Sequence, residues 1–162
     1  MPTNPFEVAL RDVVAADLSF FFEFERDVEA CRQAAFTAED PEDRAAFDAH
    51  WDRILANPKI AKQTVLAGGR VAGYVASFER EGEPEVCYWL GREFWNRGVA
   101  TRALGDFLPR LPARPMYARV AKDNLASLRV LQKCGFVICG EGRYFSNSRG
   151  VETEESILKL EA

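Results

Sequence analysis

Two apolar runs, residues 63–67 and 71–78, are separated only by Gly68-Gly69-Arg70. A connection that short joins antiparallel strands, so the pair is a hairpin. A third run, residues 85–90, follows an acidic loop containing Glu81 and Glu83 and adds a strand to the same sheet. Around this centre, short strand-like and helix-like segments alternate without a long linker, low-complexity tract or repeat. Residues 1–162 therefore form one expected domain.

The remaining elements follow from periodicity and caps. A first strand is expected at residues 6–10, then a helix after Asp12 with Leu18, Phe21 and Phe22 on one face, fading near Arg26. Asp40-Pro41 supplies an N-cap carboxylate and a proline at the first helical position for a second helix. That helix turns Phe47, Trp51, Ile54 and Leu55 inward and stops before Pro58. Val99, Ala103, Leu104, Phe107 and Leu108 recur at helical spacing before Pro109, and a strand is expected at 116–120. Asn124 caps a helix carrying Leu128, Leu131 and Cys134, with Gly135 free to take the left-handed cap. Strands at 136–141 and 153–160 close the chain. The order β-α-α-β-β-β-α-β-α-β-β predicts an α+β fold: a mixed, mostly antiparallel sheet flanked by helices. Such an order names no function.

Composition narrows the class. A chain of 162 residues buries roughly two thirds of its unfolded surface. Its 48% hydrophobic and 28% charged content is that of a globular domain. The start, MPTNPFEVALRDV, lacks a basic and an apolar region of a leader, and no apolar stretch reaches membrane-spanning length, so a cytoplasmic protein without a membrane partner is expected. Net charge is -4 with the basic residues scattered, which argues against a nucleic-acid partner. The cysteines Cys31, Cys87, Cys134 and Cys139 contain no CxxC pair and stand with a single histidine, His50, so no metal site is expected. Cys87 and Cys139 fall in apolar strands, where a thiol packs as a small hydrophobe, and His50 lies at the edge of the Phe47 and Trp51 stripe.

The stretch EVCYWLGREFWNRGVAT, residues 85–101, is a strand, a loop and a helix start. The first N–H groups of a helix have no intrahelical partner and carry partial positive charge, so the start attracts anions. Gly98 and Ala100 keep it bare, and Arg97 and Arg102 can add charge beside a diphosphate. Small residues there also serve close helix–sheet packing. Neither GxGxxG nor G-K-[ST] is present, which disfavours dinucleotide binding and nucleotide hydrolysis.

On these residues the chain resembles the GNAT superfamily of N-acetyltransferases, whose signature Q/R-x-x-G-x-G/A appears as Trp95-Asn96-Arg97-Gly98-Val99-Ala100. Trp95 departs from the first position, but F-W-x-x-G-x-A-T is similar to the branch of ribosomal-protein N-terminal acetyltransferases. A second segment, Asn124, Ser127, Lys133, Gly135 and Phe136, looks like the family's N-x-x-S...K-x-G-F. The resemblance implies an acyltransferase with acetyl-CoA as co-substrate. Backbone groups of Arg97, Gly98, Val99, Ala100 and Thr101, in the motif with Trp95 and Asn96, would hold the pyrophosphate. Trp89 and Leu90 would pair with the pantetheine arm, and Asn124 would face that arm, cap its helix, or both.

An acceptor ammonium must lose a proton before it attacks, since its pKa is roughly 8 to 10. Glu85 resembles the strand glutamate that serves as base in the histone-acetylating branch; its plain alternative is a solvated strand-start glutamate beside Glu81 and Glu83. A backbone N–H near Leu90 would stabilise the oxyanion. Leu131 stands where many relatives have an acidic tyrosine, so Ser127, ahead of water or Tyr144, would protonate the departing thiolate. Ser127 is equally a small polar residue of a helix first turn. Direct transfer to a primary amine is expected, the acceptor being a small molecule or a protein N-terminus, with a homodimer left open. The alternative is a non-catalytic acyl-CoA-binding or interaction domain on the same scaffold.

Overall fold

The computed structural model describes residues 7–162; the expected strand position Phe6 lies outside them. Seven strands form one sheet in the order β1-β2-β3-β4-β5-β7-β6. β1 (Val8–Arg11), β2 (Ala61–Ala67), β3 (Arg70–Arg80) and β4 (Glu83–Leu90) pair antiparallel in turn. β5 (Met116–Ala121) joins β4 in parallel, and β7 (Val151–Leu160) pairs antiparallel with β5 and with the edge strand β6 (Val137–Ser146). The sheet is mixed and mostly antiparallel, as the patterning predicts, and the strands extend one to five residues past several expected ends.

Five helices flank it. α1 (Asp17–Glu25) is held by Asp17, whose buried carboxylate accepts from the Val14 amide at 3.0 Å, the Thr64 hydroxyl at 2.6 Å and the Arg11 guanidinium at 2.7 and 2.8 Å. Burial works to raise the Asp17 pKa, but these donors together lower it. α2 (Val28–Ala34) was not expected: seven residues are too short for periodicity to register, although Asp27 caps the helix by accepting from the Glu29 and Ala30 amides. α3 (Arg44–Ala56) corrects the expected start at Asp40-Pro41. Asp40 caps a separate turn through the Glu42 amide, and Asp43, accepting from Ala46, is the N-cap. α4 (Val99–Phe107) ends before a 3₁₀ turn, Leu108–Arg110, that holds Pro109. α5 (Leu125–Lys133) is capped by Asn124 and followed by Gly135 at φ 98°.

The core has two parts, one on each face of the sheet. α4 and α5 cover Val65, Val75, Val86, Leu90 and Leu158 with Val99, Leu104, Phe107 and Leu131. α1 and α3 cover Val71 and Tyr74 with Leu18, Phe21 and Trp51. Cys139 corrects an expectation, being exposed on the edge strand rather than packed. Among the described residues no helix is long and apolar enough to cross a membrane.

Candidate active site

The parallel β4–β5 contact is confined to one register pair, Glu85 with Tyr117. Beyond it the two strands part, and a cavity of about 1610 Å³ opens between them. It runs from the start of α4 to the face beneath α1 and α3, with Glu85, Cys87, Trp89 and Leu90 on one side and Ala118, Arg119 and Val120 on the other. Splitting two neighbouring strands leaves backbone groups on the facing edges without a ladder partner, which suits a ligand that itself carries amides.

At one end the chain leaves β4 through a 3₁₀ turn, Arg92–Phe94, and doubles back. The Trp95 indole N–H donates to the Leu90 carbonyl at 3.1 Å and pins the loop to the strand end. Asn96 at φ 59° and Gly98 at φ 76° are both left-handed, which turns the backbone into α4. No side chain caps α4, and a β-carbon at Gly98 would meet no atom within 4 Å. The amides of Val99, Ala100 and Thr101 thus begin a helix at the mouth of the cavity, with Gly98 bare beside them. Arg97 is exposed at this bend. Arg102 pairs instead with Asp106, at 3.2 Å. The long cavity, the uncapped helix start and the bare glycine fit a nucleotide diphosphate carrying an extended arm.

α5 forms another wall. Asn124 Oδ1 accepts from the Ser127 amide and from Gln33 Nε2, each at 3.2 Å, so the capping role is realised while the residue lines the cavity. The Tyr88 hydroxyl donates to Ser127 Oγ at 2.8 Å. Burial pushes the Tyr88 pKa up to about 12, keeping it a donor near neutral pH. Tyr88, on the α5 side of β4, is absent from the sequence expectations.

On the α1 and α3 face, Glu85 is buried and not solvated. Its Oε1 accepts from Arg80 Nε at 3.0 Å and Arg119 Nε at 3.2 Å, and Arg119 also pairs with Glu155 at 2.9 Å. A second carboxylate, Glu25 at the end of α1, receives the Tyr74 hydroxyl at 2.8 Å. Burial raises the Glu25 pKa to about 7, against the Tyr74 hydrogen bond, which lowers it. The signal for Glu25 was available in the sequence: it stands three and four residues after Phe22 and Phe21, an acid in line with the apolar stripe. His50 lines the same groove, its pKa lowered by burial and then by Arg53.

Residues 7–137 match the model of the acetyltransferase (GNAT) domain. This chain therefore belongs to the GNAT family of acetyltransferases, and its fold is the acyl-CoA N-acyltransferase fold. Among solved structures, a phosphinothricin acetyltransferase from Sinorhizobium meliloti in complex with AcCoA is similar, with 24% identity, TM-score 0.76, and 95% of this chain and 89% of that chain covered. Spermidine N-acetyltransferase from Vibrio cholerae, in complex with CoA and spermine, has 18% identity and TM-score 0.76 over 94% and 95% of the two chains. RimJ from Mycobacterium smegmatis, in complex with CoA-disulfide, has 18% identity and TM-score 0.79 over 98% and 84%. No curated protein matches the sequence.

Proposed function

We propose that this chain, as one domain, transfers the acetyl group of acetyl-CoA to a primary amine by direct attack. The observation that carries the reading is the coincidence of an uncapped α4 start at Gly98 with the cavity opened by the parting of β4 and β5. In this reading the amides of Arg97, Gly98, Val99, Ala100 and Thr101 hold the diphosphate, and Trp95 and Asn96 shape the loop. The pantetheine arm runs along Trp89 and Leu90, opposite Asn124, so the thioester lies at the Trp89 end of β4. The Leu90 amide faces the developing oxyanion. Ser127, with Tyr88 donating to it, supplies a proton to the departing sulfur. Glu85, by resemblance to the strand base, is the first candidate to take the acceptor's proton.

The acceptor groove beneath α1 and α3 combines Phe47, Trp51, Ile54 and Phe78 with the carboxylates of Glu25, Glu85 and Glu155. That mixture favours an amine attached to an apolar or extended body, either a small molecule or, as the likeness to the ribosomal-protein branch implies, a protein N-terminus. The named neighbours include enzymes for phosphinothricin and for spermidine, which supports a small-molecule amine as the first group to screen. Calorimetric titration with acetyl-CoA, followed by free-thiol release with a panel of primary amines, tests the proposal. Saturable binding and amine-dependent thiol release are expected. Absence of binding at millimolar acetyl-CoA overturns it in favour of an interaction domain.

A further inference from the structure

We infer that Glu25, and not Glu85, is the group that takes the proton from the acceptor amine, with Tyr74 setting its basicity. The inference rests on the acetyltransferase reading above and concerns the acceptor side of the same site.

Position comes first. A general base must stand within hydrogen-bond reach of the proton it removes, directly or through one water. The end of α1 is fastened to the thioester end of β4: the Trp89 indole N–H donates to the Phe24 carbonyl at 3.2 Å, and Tyr74 lies directly opposite Trp89 in the β3–β4 ladder. Gly91 permits this closeness, because a β-carbon there would stand 2.6 Å from the Phe24 ring. Glu25 follows Phe24 and is hydrogen-bonded to Tyr74, so its carboxylate lines the cavity at that end. Glu85 is four residues from Trp89 along β4, about 13 Å at the usual strand rise, beside the one point where β4 and β5 still touch.

The partners separate the two carboxylates further. Glu85 Oε1 is already shared by two guanidinium groups, and the set of Arg80, Glu85, Arg119 and Glu155 is balanced in charge. Glu25 has a neutral donor, the Tyr74 hydroxyl, and that tyrosine is wedged between Phe21 and Trp51 with ring centroids 5.0 and 4.9 Å away. The charged neighbours of Glu25 are engaged elsewhere: Arg26 with Glu23 and Glu42, and Asp27 with Arg92. Cys31 on α2 donates its thiol to the Glu25 carbonyl at 3.0 Å, the half-buried Cys87 on β4 has its pKa pushed up to about 12, chiefly by desolvation, and His50 is the titratable group of α3 on this groove. A carboxyl with a midpoint near 7 is a base of useful strength at neutral pH, when an ordinary glutamate is too weak to draw on an ammonium.

The proton count closes. The Glu25 carboxylate takes one proton from the acceptor ammonium and later passes it to solvent. The freed nitrogen bonds to the acetyl carbon. When the carbon–sulfur bond breaks, the nitrogen gives its second proton to water, the sulfur leaves with one from Ser127, and Ser127 is refilled from that water directly or through Tyr88. One ammonium and one thioester become one amide, one thiol and one released proton.

The test is the pH profile of kcat/KM, which reports groups of the free enzyme, with the amine found by thiol release, for the wild type and three variants. In the wild type kcat/KM shows a rising limb as pH passes through about 7, where Glu25 ionises. Glu25→Gln should lose about 10²- to 10⁴-fold in kcat, the usual worth of general-base catalysis, and lose that limb while still binding acetyl-CoA. Tyr74→Phe removes the donor that lowers the Glu25 pKa, so the limb should move to higher pH. Glu85→Gln, whatever it does to the height of the profile, should leave the limb at the same pH. Side-chain ¹³C NMR of the free protein, assigned with Glu25→Gln, reads the same midpoint without an acceptor. A Glu25 carboxyl that titrates at the ordinary value of about 4.3, or a limb that survives Glu25→Gln and vanishes in Glu85→Gln, overturns the inference. A wild type that binds no acetyl-CoA defeats the acetyltransferase reading itself, and the NMR midpoint then separates the two failures.

Discussion

Gly98 offers a way to separate geometry from charge at the coenzyme end of the site. It sits at φ 76° as the N-cap of α4, and a β-carbon there would meet nothing within 4 Å. Gly98→Ala therefore adds only left-handed backbone strain, about 1 kcal/mol, present with or without coenzyme. Its affinity for acetyl-CoA should stay within about threefold of wild type, because strain common to both states cancels. Gly98→Asp adds a charge at the same point. A carboxylate about 4 Å from a phosphate charge is opposed by about 1 kcal/mol in water and about 4 kcal/mol at an effective dielectric constant of 20. Gly98 is exposed, so the true cost lies between these limits, a loss of about 5- to 10³-fold in affinity. Aspartate is also a good N-cap, so its melting temperature should match or exceed that of the alanine variant. Calorimetry gives the two dissociation constants, and repeating them at about 0.5 M salt should narrow the gap, since the charges are partly screened. If both variants bind acetyl-CoA equally, the diphosphate is not held at the start of α4.

Asp17→Asn should destabilise the fold by about 2 to 3 kcal/mol, below the roughly 3 to 5 kcal/mol for breaking a fully buried pair, because Arg11 at 38% side-chain exposure can rehydrate. The folded-state pKa of Asp17 is lowered, so this stabilisation is present above the unfolded value of about 3.9 and is lost as pH falls through the folded value. Urea titrations should accordingly show wild type and variant converging in acid; a gap that is constant from pH 7 to the acid limit would refute the assignment. Phe107→Ala empties a side chain that is 1% exposed beneath α4 and should cost about 3 to 5 kcal/mol. For a domain of this size that is about 6 to 20 °C in Tm by calorimetric scan, and a loss under 2 °C would mean the core closes over the gap.

The readable parts of this protein were those whose cause is local. The Gly68-Gly69-Arg70 turn fixed the β2–β3 hairpin, and Asn124 announced α5 because a cap acts within its own first turn. Asp40 and Asp43 show the limit: both carry a capping carboxylate within a few residues, and only packing of Trp51 against Phe21 and Tyr74 selects the register in which α3 begins. α2 escaped notice because seven residues give less than two turns of periodicity.

The bend through residues 95–101 was legible since a bare glycine at a helix start is a pattern of consecutive positions. The acceptor side was not. Glu25 and Tyr74 are separated by 49 residues, Tyr88 and Ser127 by 39, and Glu85 meets Arg119 across 34. Sequence determined the strands and every described helix but α2, the bare helix start at Gly98 and the family the chain resembles, because these depend on neighbours along the chain. Only the folded sheet decided that β4 and β5 part after Glu85, that two arginines claim that carboxylate, and that burial at the end of α1 raises the Glu25 pKa to about 7. Desolvation and charge pairing depend on distance in space, and no spacing in the chain records them.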